Sequence, residues 1–280
     1  MEFLQPGSWP EALEMKAARP DATPIAGGTD VMVEINLDHR RPSTVLDLTR
    51  VRELAEWGSD DGLLRIGAGV TYSRLIDELG DRLPGLAMAS RTVGSPQIRN
   101  RGTVGGNLGT ASPAGDAHPP LLAADAQVEL ASTSGARRIP VREFFVGPKR
   151  NVMRADELIA AFLIEPAAGP QEFSKVGTRN AMVIAVCSFA LALDPARRRI
   201  GTGIGSAGPT PLRAVEAEKF IEGELDWERH AGPSEATLKR FGEMVAAAAR
   251  PIDDVRGTAD YRRHALAVMA RRCLSWAWAA

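Results

Sequence analysis

Three stretches of the chain are dense enough in glycine to put bare backbone within reach of a ligand. They are AGGTD from Ala26 to Asp30, GTVGGNLG from Gly102 to Gly109, and GTGIGSAG from Gly201 to Gly208. Without a Cβ, glycine lets a ligand touch the main chain, and unobstructed amides can converge on phosphate oxygens. In the first stretch Thr29 adds a hydroxyl donor, and Asp30 either caps a helix or accepts from a ribose. In the second, Gly105 and Gly106 leave space, Asn107 offers donor and acceptor, and Thr103 and Thr110 offer hydroxyls. The two stretches lie about 75 residues apart. Facing each other, they would hold a diphosphate without a lysine, each hydrogen bond to a charged oxygen contributing about 1.5–3 kcal/mol. A flexible loop is the plainer alternative for either.

The third stretch contains a literal GxGxxG at Gly203, Gly205 and Gly208. A dinucleotide fingerprint requires a helix to follow, with its N-terminus toward the pyrophosphate. Here PTPLR follows, and no acid stands about 20 residues on after a clean second strand. These glycines therefore read as small residues of a strand and turn.

The elements around these stretches alternate. SWPEALEMKAAR opens with Ser8 as N-cap and Pro10 in the first turn, which predicts a helix. DATPIAGG reads as a short strand and a turn. Val31, Val33 and Ile35 then fit either a strand or a helix starting after Asp30. STVLDL reads as a strand. GLLRIGAGVTYSRL reads as a strand to about Gly69, with Thr71 or Ser73 opening a helix. AQVELAS and GARRIPVREFF form strands around a turn at Ser134–Gly135, and DELIAAFLIE forms another. The apolar Met182–Asp194 and the stretch from Ile200 flank a charged turn, predicting a hairpin. Two helices close the chain, in SEATLKRFGEMVAAAAR and ADYRRHALAVMARRCLSWAW. A linker-like AAGPQE places a boundary near residue 172.

Composition narrows the classes. The chain has 280 residues, with 34 basic against 35 acidic side chains, so no global field draws it to nucleic acid or anionic membrane. Its two cysteines, Cys187 and Cys273, lie far apart. They form no CxxC pair, which argues against a cluster, a zinc site or a disulfide framework and for a reducing compartment. The four histidines are scattered without metal-ligand spacing. MEFLQPGSWP has neither a basic start nor a long apolar run, so no secretory signal is expected, and no apolar stretch is long enough to span a membrane.

The pair AGGTD and TVGGN resembles the FAD-binding subunit of the molybdenum hydroxylases, the family of xanthine dehydrogenases, carbon monoxide dehydrogenases and aldehyde oxidoreductases. IGAGVTYSRL, QIRNRGTVGGNLGTASPAGD, FSKVGTRNAMVIA and GSAGPTPLRAVEAE are similar to further segments of that family. The resemblance implies an α+β protein. Residues 1–172 would form the two-subdomain FAD-binding fold of the vanillyl-alcohol oxidase type, divided into about 1–55 and 56–172. Residues 173–280 would form a small α+β C-terminal domain.

Carried onto this sequence, the resemblance implies that Ile25, Ala26, Gly27, Gly28, Thr29, Asp30 and Val31 hold the pyrophosphate and nearby ribose. Gly102, Thr103, Gly105, Gly106 and Asn107 would face them near the flavin end. Thr110 and Asp116 would be further contacts, Ile159 an apolar one and Lys175 a cationic one. No catalytic acid or base and no metal ligand is implied. The extra cysteine-rich cluster insertion of some members is missing, so the chain should carry FAD alone. A large molybdopterin-binding subunit and a small subunit with two 2Fe–2S clusters would be its partners, in a two-fold assembly of heterotrimers in the cytoplasm. The flavin would then relay electrons to a soluble acceptor. A self-contained FAD oxidase or dehydrogenase is the rival; a covalent flavin would favour it, and His118 is the only histidine beside either loop. Two motifs so far apart suit an extended dinucleotide. Heat denaturation should therefore release FAD, identified by chromatography; recovery of FMN alone would contradict this.

Overall fold

The computed structural model describes residues 1–280, and it opens on a small parallel sheet. β1 (Glu2–Leu4) and β2 (Thr23–Ile25) flank β3 (Thr44–Asp47), giving the order β1-β3-β2. The crossovers are α1 (Trp9–Ala18) and α2 (Val31–Asn36). Ser8 caps α1 by accepting from the Glu11 amide, and Pro10 occupies its first turn, as the sequence predicts. The ambiguous Val31–Ile35 run is helical. Gly28, at φ 76°, turns the chain off β2 into that helix, a conformation that costs glycine least.

A five-stranded antiparallel sheet follows, in the order β4-β5-β10-β6-β7. Its strands are β4 (Trp57–Asp60), β5 (Leu63–Gly67), β6 (Gln127–Ser132), β7 (Gly135–Pro140) and β10 (Leu158–Ile164). Every residue of β10 is buried, as its continuous apolar run requires of a central strand. Between β5 and β6 the chain passes through α3 (Tyr72–Leu79), α4 (Pro84–Arg91), α5 (Pro96–Arg99), α6 (Val104–Thr110) and α7 (His118–Ala123). A short helix α8 (Val141–Phe144) and the ribbon β8 (Phe145–Gly147) with β9 (Arg150–Asn151) lead back to β10. One hydrophobic core, from Ala12 to Ile164, joins these layers.

The remaining chain forms an antiparallel sheet of β11 (Gln171–Val176), β12 (Cys187–Asp194) and β13 (Arg199–Gly205), then α9 (Val215–Glu224), α10 (Glu235–Ala248) and α11 (Ala259–Ala279). The predicted hairpin is present, but β12 begins at Cys187 rather than Met182. Cys187, Phe189, Leu191 and Leu193 alternate onto a second core with Phe241, Leu266 and Leu274 of the helices. No helix is long and apolar enough to cross a membrane.

The GxGxxG glycines explain themselves on the other face of this sheet. A Cβ on Gly201 would lie 1.8 Å from the Ala123 carbonyl oxygen, and one on Gly203 2.0 Å from that of Pro119. Helix α7 thus lies directly on the backbone of β13, and the glycines alternate with Ile200, Thr202 and Ile204, which face the other way. Gly203→Ala should consequently lower the unfolding free energy by about 1–3 kcal/mol, measured by urea denaturation. Gly205→Ala, whose Cβ would meet Ser188 Oγ at 2.4 Å, should destabilise too, while the folded fraction keeps its flavin. Loss of flavin from well-folded Gly205→Ala protein would contradict the structural role.

Candidate cofactor site

The first glycine motif leaves the end of β2 and runs flush against the second. A Cβ on Gly27 would fall 1.9 Å from the Arg101 carbonyl oxygen and 2.9 Å from the Gly102 nitrogen. Only glycine permits that approach. Asp30 does not cap α2 through its side chain. It turns to the second motif, where its Oδ2 lies 3.0 Å from the Thr110 hydroxyl. The same hydroxyl is 3.0 Å from the Gly106 carbonyl oxygen.

The second motif is not the open loop its glycines suggest; it forms α6. Thr103 is the N-cap and its Oγ1 accepts from the Gly106 amide at 2.8 Å. The adjacent glycines have separate tasks. A Cβ on Gly105 would strike Ala68, 2.5 Å from its carbonyl oxygen, so Gly105 seats α6 on the β5–α3 turn. A Cβ on Gly106 would meet only Thr103 Oγ1, at 3.1 Å, and Gly106 therefore presents its bare side to open space. His118 lies behind α6, fully buried, with Nε2 3.1 Å from the Asn107 carbonyl oxygen and its ring against Phe145. Burial pushes its pKa down to about 4, so the ring is neutral, and it does not line the cavity. A covalent flavin on this histidine has no support.

The open space is a cavity of about 910 Å³ between the motifs, within the range of cofactor pockets. All the residues the sequence nominates line it except Gly102 and Lys175. Gly102 lies beneath, its carbonyl accepting from the Tyr72 amide at 3.0 Å. Lys175 reaches across from β11 and meets Asp116, Nζ to Oδ2 at 2.6 Å, with both side chains about nine-tenths buried. Burial pushes the Asp116 carboxyl up to about 6, while the Lys175 ammonium and the hydrogen bonds pull it down. Sequence reasoning missed Thr71, Arg40, Arg101, Ser112, Lys149 and the Met182–Ile184 loop, all of which line the cavity. Arginine and lysine at a diphosphate site are a familiar pairing, but nothing local ties Arg40 or Lys149 to either motif. The Met182–Ile184 run was hidden by its apolar character, which mimics the strand it precedes.

Asn107 Oδ1 and Asp116 Oδ1 are buried in this lining without a protein hydrogen-bond partner. Buried polar atoms are rarely left so. Together with the bare flank of Gly106 and the hydroxyl of Thr29, they suit a long ligand carrying phosphate, ribose and ribityl groups. The residues present therefore fit FAD.

Comparisons with known proteins agree. Residues 1–166 match the family described as the FAD binding domain in molybdopterin dehydrogenase. Residues 172–277 match the CO dehydrogenase flavoprotein C-terminal domain. A xanthine dehydrogenase FAD-binding subunit from Escherichia coli O157:H7 is 31% identical over 280 residues, covering 96% of this chain and 93% of the relative. The nicotine 6-hydroxylase medium subunit of Paenarthrobacter nicotinovorans is 30% identical, with 98% and 96% covered. Among solved structures, quinoline 2-oxidoreductase from Pseudomonas putida 86 superposes with a TM-score of 0.90 at 25% identity, covering 100% of this chain and 97% of that one. The chain belongs to the family of FAD-binding medium subunits of the molybdopterin-containing dehydrogenases.

Proposed function

We propose that FAD lies along the groove between the two glycine motifs. The diphosphate and adjoining ribose would meet Ile25–Val31, and Thr103, Gly105, Gly106 and Asn107 would face them from α6. Thr110 and Asp116 add polar contacts and Ile159 an apolar one. Gly102 and Lys175 act from behind the lining, Gly102 through the contact with Gly27 and Lys175 by holding Asp116 in place. The observation that carries this reading is the backbone contact at Gly27, which makes two distant motifs walls of one groove. We also take residues 1–172 as the cofactor domain, in two parts near 1–55 and 56–172, with 173–280 as a domain of its own.

Bound FAD supplies the exchange between single-electron carriers and a two-electron acceptor. The chain's own residues hold the cofactor and keep water from its buried polar contacts. Relatives named as medium subunits and medium chains work within larger complexes. For this chain we propose a large molybdopterin subunit and a small 2Fe–2S subunit as partners, in a dimer of heterotrimers. Both cysteines are free and buried, which suits the reducing cytoplasm. A self-contained flavoenzyme is not favoured: the buried His118 offers no covalent tether, and the whole chain aligns with subunits of multi-chain enzymes.

Gly106→Val should abolish flavin binding and leave the chain folded, because the added methyls grow into the groove and meet little else. Absorbance for flavin and circular dichroism for fold check this; full occupancy in the variant would remove α6 from the site. The relay itself is tested by dye reduction with the complex's organic substrate. The chain alone should give none, and adding the partner chains should restore it. Equal rates with and without partners would establish the self-contained enzyme instead.

A further inference from the structure

Tyr72 is the first residue of α3, directly after its N-cap Thr71. Its amide donates to the Gly102 carbonyl, and Thr71 forms an isolated bridge with Thr103. A Cβ added to Gly102 would lie 3.3 Å from the tyrosine ring and 3.4 Å from Thr29 Oγ1. The ring therefore sits where the two glycine motifs meet. Tyr72 is 3% exposed, lines the cofactor groove, and its hydroxyl has no hydrogen-bond partner in the protein.

A phenol so placed is a liability in the empty protein. A buried hydroxyl without a partner loses its hydration and gains nothing, and phenylalanine would fill the same space without that loss. The nearby acids do not relieve it. Asp30 Oδ2 is engaged by Thr110 and Asp116 Oδ2 by Lys175, and the unpaired Asp116 Oδ1 makes no hydrogen bond with the phenol. Burial, Asp116 and Asp30 together hold the ionisation of the phenol well above its ordinary value, so it is a neutral donor at physiological pH. A residue of the groove lining thus carries a committed donor, and the protein supplies no acceptor for it.

We propose that Tyr72 is a further cofactor-binding residue, whose hydroxyl donates a hydrogen bond to an acceptor atom of FAD at the junction of the two motifs. This rests on the reading of the groove as the FAD site. It assigns a contact to a residue outside both motifs, and it has two opposite consequences for one small change. Removing the hydroxyl should leave the flavin-free protein as stable as before, or more so. It should also weaken flavin binding, because only the loaded protein contains the acceptor.

The test is Tyr72→Phe, made in the full chain and compared with wild type after removal of flavin. Thermal midpoints of both flavin-free proteins are measured, followed by titration with FAD, read by the change in flavin fluorescence. The expected result is an equal or higher midpoint for the variant with an FAD dissociation constant raised about tenfold or more. An unchanged dissociation constant overturns the proposal, since the hydroxyl then makes no bond that depends on FAD. A lowered midpoint also overturns it, since the hydroxyl then has a partner in the flavin-free protein. Failure of wild type itself to take up FAD would be a separate result and would overturn the reading of the groove as a whole.

Discussion

Everything at the site depends on one close approach of backbone to backbone. The chain at Gly27 rests on the peptide joining Arg101 to Gly102, at a separation that leaves no room for a Cβ. Two segments far apart in sequence thereby become a single surface. Other features repeat the join: Asp30 meets Thr110, and Tyr72 takes the Gly102 carbonyl from below. Glycine costs conformational entropy on folding, and the offset comes from packing that no other residue would allow.

The same device joins the two halves of the molecule. Glycines 201, 203 and 205 bare one face of β13, and α7 lies on it. The preceding residues, Ser112 to Asp116, carry part of the cofactor lining. The Ser206 amide donates to the Pro113 carbonyl at 2.8 Å, and Lys175 pairs with Asp116. The C-terminal domain thus supports the groove from behind at these contacts and adds a stretch of wall at Met182–Ile184. Breaking a buried pair such as Lys175–Asp116 from one side strands a charge, at a cost of about 3–5 kcal/mol. The carboxylate gains its position from a strand about 60 residues away.

Much of this was legible in the residues, and the failures have physical causes. Strands with clean alternation or continuous apolar runs, such as β6 and β10, stand where the sequence puts them, and Ser8 marks its helix. The GxGxxG reads correctly as strand and turn because prolines follow its last glycine where a helix would have to start. The glycines of α6 suggest a loop because glycine disfavours helix, and its cap, Thr103, is the local signal for the helix. Val31–Ile35 satisfies both periods at so short a length, and only the turn at Gly28 decides for helix. Lys175, expected as a cationic contact, pairs with Asp116 of the cavity lining. Arg40, Lys149 and Met182–Ile184 also line the cavity, and nothing in the sequence ties them to either motif.

The account's central claim is that flavin binding requires the two motifs to touch at Gly27. The direct measurement is the FAD dissociation constant of Gly27→Ala, beside Gly58→Ala as a control whose added Cβ would have nothing within 4 Å. A methyl at Gly27 must push the motifs apart, whereas one at Gly58 stands in open space. The predicted result is loss of FAD binding, or weakening by at least about tenfold, in Gly27→Ala and wild-type affinity in the control. Wild-type affinity in Gly27→Ala would contradict the claim, because the groove would then form without the contact on which it is built.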